Sequence, residues 1–329
     1  MSKFYTNVVC LGDYIFERGI EDGIPFDEKH EFKPTLYIPT TTKTDWKTLE
    51  GDPVGPVQWG SIKETRAAMK KYDGVDNMKI YGHTNYNYSF IAETYPEPID
   101  YNFEHIKIMF LDIEVGSEHG FPNPETAQEE VTAITIKIND DIQVWGCSEF
   151  KNGQDNITYN KCGDERQLLE QFVMYWQQNC PHVITGWNTK TFDTPYLVNR
   201  IRNILNDSWV KKLSPWGFVK EQKIFGMGGK EVQTYEIYGV SEIDYMDAYK
   251  KFTYTNQESY RLDHIAYVEL EENKLDYSEV ATLHELYRTD YQKFIEYNIQ
   301  DVLLVDRLEK KMKLLEMIIS LAYLSKCNY

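Results

Sequence analysis

The spacing of hydrophobic and polar positions divides the chain into two regions with different element patterns. In the first region, residues 1–103, short runs rich in β-branched and aromatic residues predict strands, and a Ser61–Glu64 capping box predicts the start of a helix. The predicted elements are strands at Tyr5–Ile15, Phe32–Ile38 and Met78–Tyr81, and a helix that continues to Lys71. This pattern predicts a small α+β domain, followed by a linker marked by Pro96 and Pro98.

In the second region, residues 104–329, strand patterns alternate with helix patterns. The predicted strands are Ile106–Glu114, Val131–Ile138, Ile142–Trp145 and Val183–Thr185, and the predicted helices are Glu165–Gln177, Asp193–Leu205 and a long pattern from Tyr287 to Tyr323. Two further runs, Lys220–Phe225 and Glu231–Ile237, flank Gly226-Met227-Gly228-Gly229 and predict a hairpin. Alternation of strands and helices predicts an α/β domain with a mixed sheet.

Composition limits the classes of function. The 329 residues suggest two domains, and a hydrophobic content of 42% is sufficient for a buried core. The charge is 35 basic against 52 acidic residues, so the net charge is 35 − 52 = −17. A protein that binds long duplex DNA by charge alone is usually basic. The composition therefore excludes that mode of binding and leaves open a site that holds a few nucleotides.

The cysteines and the apolar runs bear on the cellular compartment. Five scattered cysteines without a C-x-x-C pair argue against a disulfide framework and against a zinc site, and they fit a reducing cytoplasm. The N-terminus lacks the apolar region of a signal peptide. The most apolar run, Leu314–Leu324, contains Glu316 and is too short to span a bilayer. We expect it to form one buried helix face, and we expect no membrane partner.

Two carboxylates lie close together at the end of the first strand of the second region. Asp112 and Glu114 are two residues apart, so their side chains point to the same face of that strand. The strand around them is apolar, and adjacent carboxylates repel each other and resist burial. A bound cation relieves both problems. Solvated acids at a strand end are the alternative that this motif alone leaves open.

Two further motifs carry carboxylates. Asp193 follows Asn188 and Phe192 at a predicted helix start, where an aspartate is also favourable for the helix itself. Tyr297 and Asp301 are four residues apart and share one face of an apolar helix. Each motif alone fits an ordinary structural role. Together they supply the hard oxygen ligands that a pair of divalent cations requires.

The ordered set of motifs resembles a known family of nucleases. A D-x-E motif that ends a buried strand, then N-x-x-x-F-D at a helix start, then Y-x-x-x-D on a late helix, is similar to the pattern of DEDD-type 3′–5′ exonucleases. The tyrosine variant resembles the proofreading domains of family B DNA polymerases. The stretches that extend the resemblance to the polymerases of T-even-type tailed phages are Gly12–Arg18, Gly120–Pro122, Thr185–Tyr196, Tyr249–Phe252 and Thr255–Gln257.

The resemblance implies a ribonuclease-H-like exonuclease domain with a mixed sheet, and it implies roles for individual residues. Asp112, Glu114 and Asp301 are expected to ligate one Mg²⁺ or Mn²⁺ ion, and Asp112 with Asp193 a second. Tyr297 is expected to orient the attacking water. These implied roles make Asp112, Glu114, Asp193, Asp301 and Tyr297 the predicted catalytic set.

Other residues match parts of the family that contact the substrate. Lys274 corresponds to a phage-type lysine near the scissile phosphate. Phe121 corresponds to an aromatic residue that stacks on the frayed primer end, and Asn188 and Phe192 are expected to hold the terminal nucleotide. The Lys220–Ile237 hairpin corresponds to one that separates primer from template; plain scaffolding is the alternative.

The polymerase part of the family is not recognisable in this sequence. Motifs of the S-L-Y-P-S and D-T-D-S types are absent, and the resemblance stops at the expected approach to the palm. An excised fragment, one product of a split polymerase gene and a stand-alone exonuclease are all compatible with this. We expect a split polymerase whose other subunit carries palm, fingers and thumb, with Leu314–Leu324 as a candidate docking surface.

The predicted function is therefore a two-metal 3′–5′ exonuclease that acts on single-stranded or frayed DNA at a primer 3′ end. The expected compartment is the cytoplasm of a phage-infected host. The alternative is a non-catalytic subunit that binds nucleic acid or assembles the replication complex. Residues 1–103 lack the dense basic and aromatic stripe that this alternative requires.

Overall fold

The structure is a computed structural model of the chain, and it describes residues 2–75, 78–118, 120–225, 229, 231–275, 280 and 282–329. It divides into two compact units. The first comprises residues 1–105 together with 320–329, and the second comprises residues 106–319. The sequence prediction placed residues 320–329 in the second domain, whereas here they group with the first unit.

The first unit is built on an antiparallel three-stranded sheet in the order β1-β2-β3, beside a two-stranded ladder of β4 and β5. Its elements are β1 (Lys3–Leu11), β2 (Tyr14–Glu21), β3 (Ile24–Glu31), β4 (Thr35–Pro39), β5 (Val54–Gln58), α1 (Ile62–Tyr72), α2 (Tyr86–Thr94) and a 3₁₀ turn at Phe103–His105. The predicted strand Tyr5–Ile15 is in fact interrupted, because the chain turns at Gly12, whose φ of 64° is readily adopted by glycine.

Two local predictions in this unit have opposite outcomes. The Ser61 hydroxyl accepts a hydrogen bond from the Glu64 N–H at 3.2 Å, which confirms the predicted helix start of α1. The predicted strand Met78–Tyr81 is wrong, because its pairing is limited to an isolated bridge between Tyr81 and Tyr37. One bridge satisfies the backbone of one residue and does not sustain a strand.

The end of the chain packs within the first unit. The Tyr323 hydroxyl donates to the Tyr5 carbonyl at 2.7 Å, and its ring lies against Phe4 and Tyr101. The Asn328 side chain pairs with both backbone groups of Val8, at 3.0 Å and 2.7 Å. The predicted docking surface Leu314–Leu324 is therefore largely buried within the chain itself, and Leu321 and Leu324 are its exposed large apolar side chains.

The second unit contains a six-stranded mixed sheet in the order β13-β10-β6-β7-β8-β9. These strands are β6 (Ile108–Val115), β7 (Val131–Ile138), β8 (Asp141–Gly146), β9 (Ile157–Lys161), β10 (Val183–Thr185) and β13 (Ser241–Glu242). β6 pairs in parallel with β10 and antiparallel with β7. The mixed sheet with helices confirms the predicted fold class.

Helices α3 and α4 pack on one face of this sheet, and α8 and α9 pack on the other. The helices from residue 165 onward are α3 (Glu165–Gln178), α4 (Asp193–Ile204), α5 (Asp207–Lys211), α6 (Tyr245–Phe252), α7 (Leu262–Leu270), α8 (Leu283–Thr289), α9 (Tyr291–Met312) and α10 (Leu314–Ser325), whose last residues belong to the first unit. The predicted hairpin is present as β11 (Val219–Phe225) and β12 (Glu231–Ile237), whereas its predicted glycine turn lies largely outside the described residues. Across the described residues, the structure contains no helix with both the length and the apolar character required to cross a bilayer.

The alternation of side chains along β6 decides which face carries the site. Leu111 packs in the core beneath α3 and α4, with Phe172 and Val198. The neighbouring positions in β6 therefore point to the opposite face, where Ala133 of β7 packs against Ile295 of α9. The acids of β6 consequently face α9.

The predicted continuous helix from Tyr287 to Tyr323 is wrong, because the chain forms three helices there. Asp290 begins α9, and its side chain accepts a hydrogen bond from the Lys293 N–H at 3.1 Å. Lys313 interrupts the helix with a left-handed φ of 54°. The two breaks bound α9, the helix that carries Tyr297 and Asp301.

Candidate active site

The site begins with two carboxylates on β6. Asp112 and Glu114 lie on the face that meets α9, and Glu114 is 8% exposed. Burial raises the pKa of both carboxyls well above their ordinary values, and the nearby carboxylate of Asp301 raises them further. Within the described part of the chain, burial and the neighbouring carboxylate thus disfavour the ionised form of Asp112 and Glu114.

Asp301 reaches the same place from α9. One carboxylate oxygen from each of Asp112, Glu114 and Asp301 lies within 4.8 Å of the others. The Asp301 Oδ1 atom is buried and is without a hydrogen-bond partner among the described residues. Three convergent carboxylates and an orphaned oxygen are the donor set that a hard divalent cation requires, so the residues fit a Mg²⁺ or Mn²⁺ site.

Lys274 supplies the positive charge of the site. Its ammonium donates to Asp301 Oδ2 and, at 3.1 Å, to the Tyr297 hydroxyl. Its own backbone N–H donates to the Asp263 carboxylate at 2.9 Å, which fixes the loop after α7. Burial opposes the charge of Lys274, but the neighbouring Asp301 carboxylate and Tyr297 raise the lysine pKa above its usual value. The structure thus brings Lys274 and Tyr297 to the acid cluster.

The second motif approaches β6 through a close backbone contact. A Cβ atom on Gly186 would lie 2.3 Å from the Leu111 carbonyl oxygen, so only glycine fits at this position. Asp193 then begins α4, and its Oδ1 accepts a hydrogen bond from the Ile113 N–H at 3.1 Å. Ile113 lies between Asp112 and Glu114, so Asp193 is anchored beside them without belonging to the three-carboxylate group.

Asp193 is also close to two further buried acids, Glu242 and Asp244. Burial raises the pKa of Asp193 to about 8, although its hydrogen bond from Ile113 lowers it. Burial also raises the pKa of Glu242 to about 7 and that of Asp244 to about 6. Asp244 is nevertheless structurally engaged: it begins α6 and accepts hydrogen bonds from the backbone N–H groups of Asn188 and Lys190. Its role is to hold the second motif in place.

The residues predicted to contact substrate lie around this turn. Asn188 has a left-handed φ of 68°, and its Oδ1 accepts from the Thr191 hydroxyl at 2.6 Å. Phe121 is 88% exposed, and its ring centroid lies 5.6 Å from that of Phe192. The structure therefore brings Phe121 and Phe192 together as an accessible aromatic surface, while the carboxamide oxygen of Asn188 is engaged within its own loop.

The hairpin is attached to the same turn. The Thr234 hydroxyl of β12 donates to the Lys190 carbonyl at 2.7 Å. Phe225, at the far end of β11, is 78% exposed. The hairpin is thus joined to the second motif through the middle of β12 and presents an apolar side chain at the turn end of β11.

Sequence reasoning missed two residues that contact the site. The Asn298 side chain donates to Asp112 Oδ2 at 2.6 Å and accepts from the Thr135 hydroxyl. Both residues are fully buried. Asn298 belongs to the third motif, and Thr135 is a polar residue in the otherwise apolar strand β7. That polarity at buried positions was the available signal.

A second group of possible metal ligands occurs in the first unit. Glu17, Glu28 and His30 place their ligand atoms within 4.8 Å of one another. The His30 Nε2 atom lies 2.8 Å from Glu17, which also accepts from the Tyr95 hydroxyl. These contacts satisfy the buried Glu17 carboxylate within the protein, so this group lacks the orphaned oxygen found at Asp301.

The fold and the acid cluster together define the class of this protein, a ribonuclease-H-like exonuclease domain preceded by a small N-terminal β-rich domain. The family model for the exonuclease domain of DNA polymerase family B matches residues 54–265. The chain belongs to this family. The matched range contains Asp112, Glu114 and Asp193, whereas Tyr297 and Asp301 follow it.

Known DNA polymerases from viruses of different hosts resemble the chain over all or part of its length. The DNA-directed DNA polymerases of Escherichia phage RB69 and Enterobacteria phage T4 are each 31% identical, over 99% and 100% of this chain respectively. The DNA polymerase catalytic subunit of Psittacid herpesvirus 1 is 26% identical over 61% of the chain and 20% of its own length. The chain spans 39% of the length of each phage relative.

Proposed function

We propose that this chain is a 3′–5′ exodeoxyribonuclease that removes terminal nucleotides from single-stranded or frayed DNA. The supporting observation is the convergence of Asp112, Glu114 and Asp301, with one buried oxygen of Asp301 unsatisfied. Hydrolysis adds water across the last phosphodiester bond. The phosphate then leaves with the released nucleotide as a 5′-monophosphate, and the remaining strand ends in a 3′-hydroxyl.

The carboxylates are proposed to hold two divalent ions, Mg²⁺ or Mn²⁺. Asp112, Glu114 and Asp301 would hold one, and Asp112 with Asp193 the other. Such ions supply an activated water and stabilise the charge on the departing oxygen. The protein provides position and charge, because in-line displacement requires little else once the reacting groups are aligned.

Tyr297 and Lys274 are proposed to act on the reacting groups directly. The Tyr297 hydroxyl accepts a hydrogen bond from the Lys274 ammonium at 3.1 Å, and this bond fixes the orientation of the hydroxyl. The hydroxyl can then donate its own proton to an attacking water. Lys274 carries a positive charge that can stabilise the additional negative charge on the phosphate. Asn188 is proposed to hold the terminal nucleotide.

Selectivity for frayed ends is proposed to come from unstacking. The exposed ring of Phe121, beside Phe192, offers a surface on which an unpaired base can stack. A mispaired terminus costs less to unstack than a paired one, so it reaches the site more often.

We further propose that the chain is the proofreading part of a family B polymerase. The palm, fingers and thumb would belong to a separate subunit, and the complex would act in the cytoplasm of the infected host.

The decisive experiment removes the β6 carboxylates without changing their size. We expect Asp112→Asn with Glu114→Gln to abolish degradation of a 3′-labelled single strand in Mg²⁺, while the circular dichroism spectrum stays that of the wild type. Asp140→Asn with Asp141→Asn is the matched control, because these exposed acids lie at the turn between β7 and β8 and the charge change is equal.

Two outcomes would contradict the proposal. Full activity in the Asp112→Asn, Glu114→Gln variant would exclude this cluster as the catalytic site. Binding of the single strand by the wild type without any cleavage in Mg²⁺ or Mn²⁺ would favour the alternative, a non-catalytic nucleic-acid-binding subunit.

A further inference from the structure

Two fully buried polar side chains, Thr135 and Asn298, link Asp112 of β6 to β7 and α9. Asp112 of β6 lies directly opposite Thr135 of β7 in the antiparallel ladder. Asn298 of α9 lies between them: its Nδ2 is 2.6 Å from Asp112 Oδ2, and its Oδ1 accepts from the Thr135 hydroxyl. Three elements thus meet in one hydrogen-bonded group.

The chemistry of these groups allows one orientation of the amide. An ionised carboxylate only accepts hydrogen bonds, so the Asn298 nitrogen must face Asp112. The amide oxygen then faces Thr135, whose hydroxyl must donate. Removing the Thr135 hydroxyl leaves a buried carbonyl oxygen without a donor, and removing the Asn298 amide leaves Asp112 without this donor.

A purely structural role does not require a buried amide and a buried hydroxyl here, because the neighbouring side chains are apolar. Ala133 precedes Thr135 on this face, and Ile295 and Ile299 flank Asn298 on α9, all of them in the apolar core. A buried amide in such a place is costly unless both of its ends are satisfied. Here its two partners are a structural hydroxyl and an acid of the site.

We propose that Asn298, oriented by Thr135, is a positioning residue that fixes the Asp112 carboxylate for the cation. By occupying Oδ2 it sets the rotation of the carboxylate and directs Oδ1 to the cluster. Asn298 lies between Tyr297 and Asp301 on the same helix, so one amide also fixes the distance between the β6 acids and the α9 acid. This inference rests on the proposed metal-dependent function.

A double-variant comparison tests the proposal. Asn298→Leu and Thr135→Val are made singly and together, and Thr132→Val, a buried threonine of the same strand that precedes Ala133, is the control. Replacing both polar partners by apolar groups of similar shape is nearly neutral for stability, whereas replacing one leaves the other unsatisfied. Asp112 still loses its amide donor in the double variant, so we expect its urea midpoint to lie below that of the wild type but above that of Asn298→Leu, which also leaves the Thr135 hydroxyl unsatisfied.

Metal affinity is expected to behave differently from stability. With Mn²⁺ alone as the probe, the half-saturating concentration in a thermal-shift titration should rise about 10–100-fold in the double variant and stay at the wild-type value in Thr132→Val. Recovery of stability without recovery of metal affinity supports a positioning role.

The remaining outcomes decide either the role of Asn298 or the proposed function. A double variant with wild-type affinity for Mn²⁺ would overturn the inference, because Asn298 would then act only in packing. If the wild type shows neither a Mn²⁺-dependent shift nor cleavage, the proposed function itself fails and this inference fails with it. If the wild type binds Mn²⁺ and cleaves, the variants test Asn298 alone.

Discussion

At the scale of single residues, Asp301 shows how the site balances charge. One of its oxygens accepts from the Lys274 ammonium, and the other is buried without a partner among the described residues. A single lysine faces a group of carboxylates whose pKa values are all raised by burial. One ammonium thus neutralises only part of the negative charge of the cluster, which leaves a group of acids that could hold a cation.

Lys274→Met should destabilise the metal-free protein most at high pH. Without the ammonium, Asp301 is a buried charge that has lost its ion-pair partner, and we expect the free energy of unfolding to fall by about 1–3 kcal/mol at pH 8. The loss should be smaller at pH 5.5, where Asp301 can take up a proton. Urea unfolding in EDTA measures both values.

Lys161→Met is the matched control for this substitution. Lys161 also pairs with a carboxylate, that of Glu149, but both side chains are largely exposed. An exposed pair contributes about 0–1 kcal/mol, so little change is expected at either pH. Equal losses in the two variants would show that Lys274 does not neutralise a buried acid.

At the scale of elements, the site depends on how the second motif leaves β10. Gly186 lets the turn pass against the Leu111 carbonyl, and Asp193 then begins α4 beside β6. The close approach explains why a glycine follows the strand. A larger residue would push the whole motif away from the sheet.

Gly186→Ala should therefore destabilise the protein and impair the nuclease. The added Cβ would lie 2.3 Å from the Leu111 oxygen and 2.5 Å from Thr189 Cγ2, and overpacking of this kind costs about 1–3 kcal/mol. Gly153→Ala is the control, since a Cβ there meets nothing within 4 Å. Unchanged stability and activity in Gly186→Ala would show that the turn can relax without moving Asp193.

The elements also show how far the sequence predicts the fold. Strands with an uninterrupted apolar or alternating pattern, such as β7 and β10, coincide with their predicted bounds. The break at Lys313 carries no local signal, because no glycine, proline or asparagine marks it. It is stabilised instead by Glu309, whose carboxylate accepts from the N–H groups of Leu315 and Glu316 at 3.0 Å and 3.4 Å. Such a contact depends on the fold and not on local propensity.

The candidate site also combines features that local sequence predicts with contacts that depend on the fold. The spacing within each motif predicts which side chains share a face, and the structure brings Asp112, Glu114 and Asp301 together. The contribution of Asn298 depends on the pairing of Asp112 with Thr135 across two strands, and no sequence spacing specifies that register. Pairings between distant segments are the part of the site that the sequence alone leaves open.

At the scale of the whole molecule, the buried acids link stability to pH and to metal. Carboxyls whose folded-state pKa is raised hold protons that the unfolded chain has already released, so the free energy of unfolding falls as pH rises. The window begins near the ordinary pKa of about 4 and extends to about 8, the raised value of Asp193. Each retained proton contributes up to about 1.4 kcal/mol per pH unit within it.

We expect the metal-free protein to be less stable at pH 8 than at pH 5.5. Millimolar Mg²⁺ or Mn²⁺ should reduce this difference in stability, because a cation that binds only the folded state stabilises that state by mass action. Thermal unfolding at both pH values, with EDTA or with metal, measures the effect. The variant Asp112→Asn with Glu114→Gln should show a smaller dependence on pH and on metal. An identical dependence in that variant would assign the effect to the general negative charge of −17 instead.

The hydrogen bond between Asp193 and the Ile113 N–H has a consequence for any study of the second motif. β10 pairs with β6 only as far as Phe110, so beyond that point Asp193 completes the open edge of the strand. Asp193→Ala would therefore uncover a sheet edge as well as remove a charge, and its phenotype would mix two causes. Asp193→Asn retains a carbonyl oxygen for the Ile113 amide, which makes it the substitution that separates electrostatics from architecture.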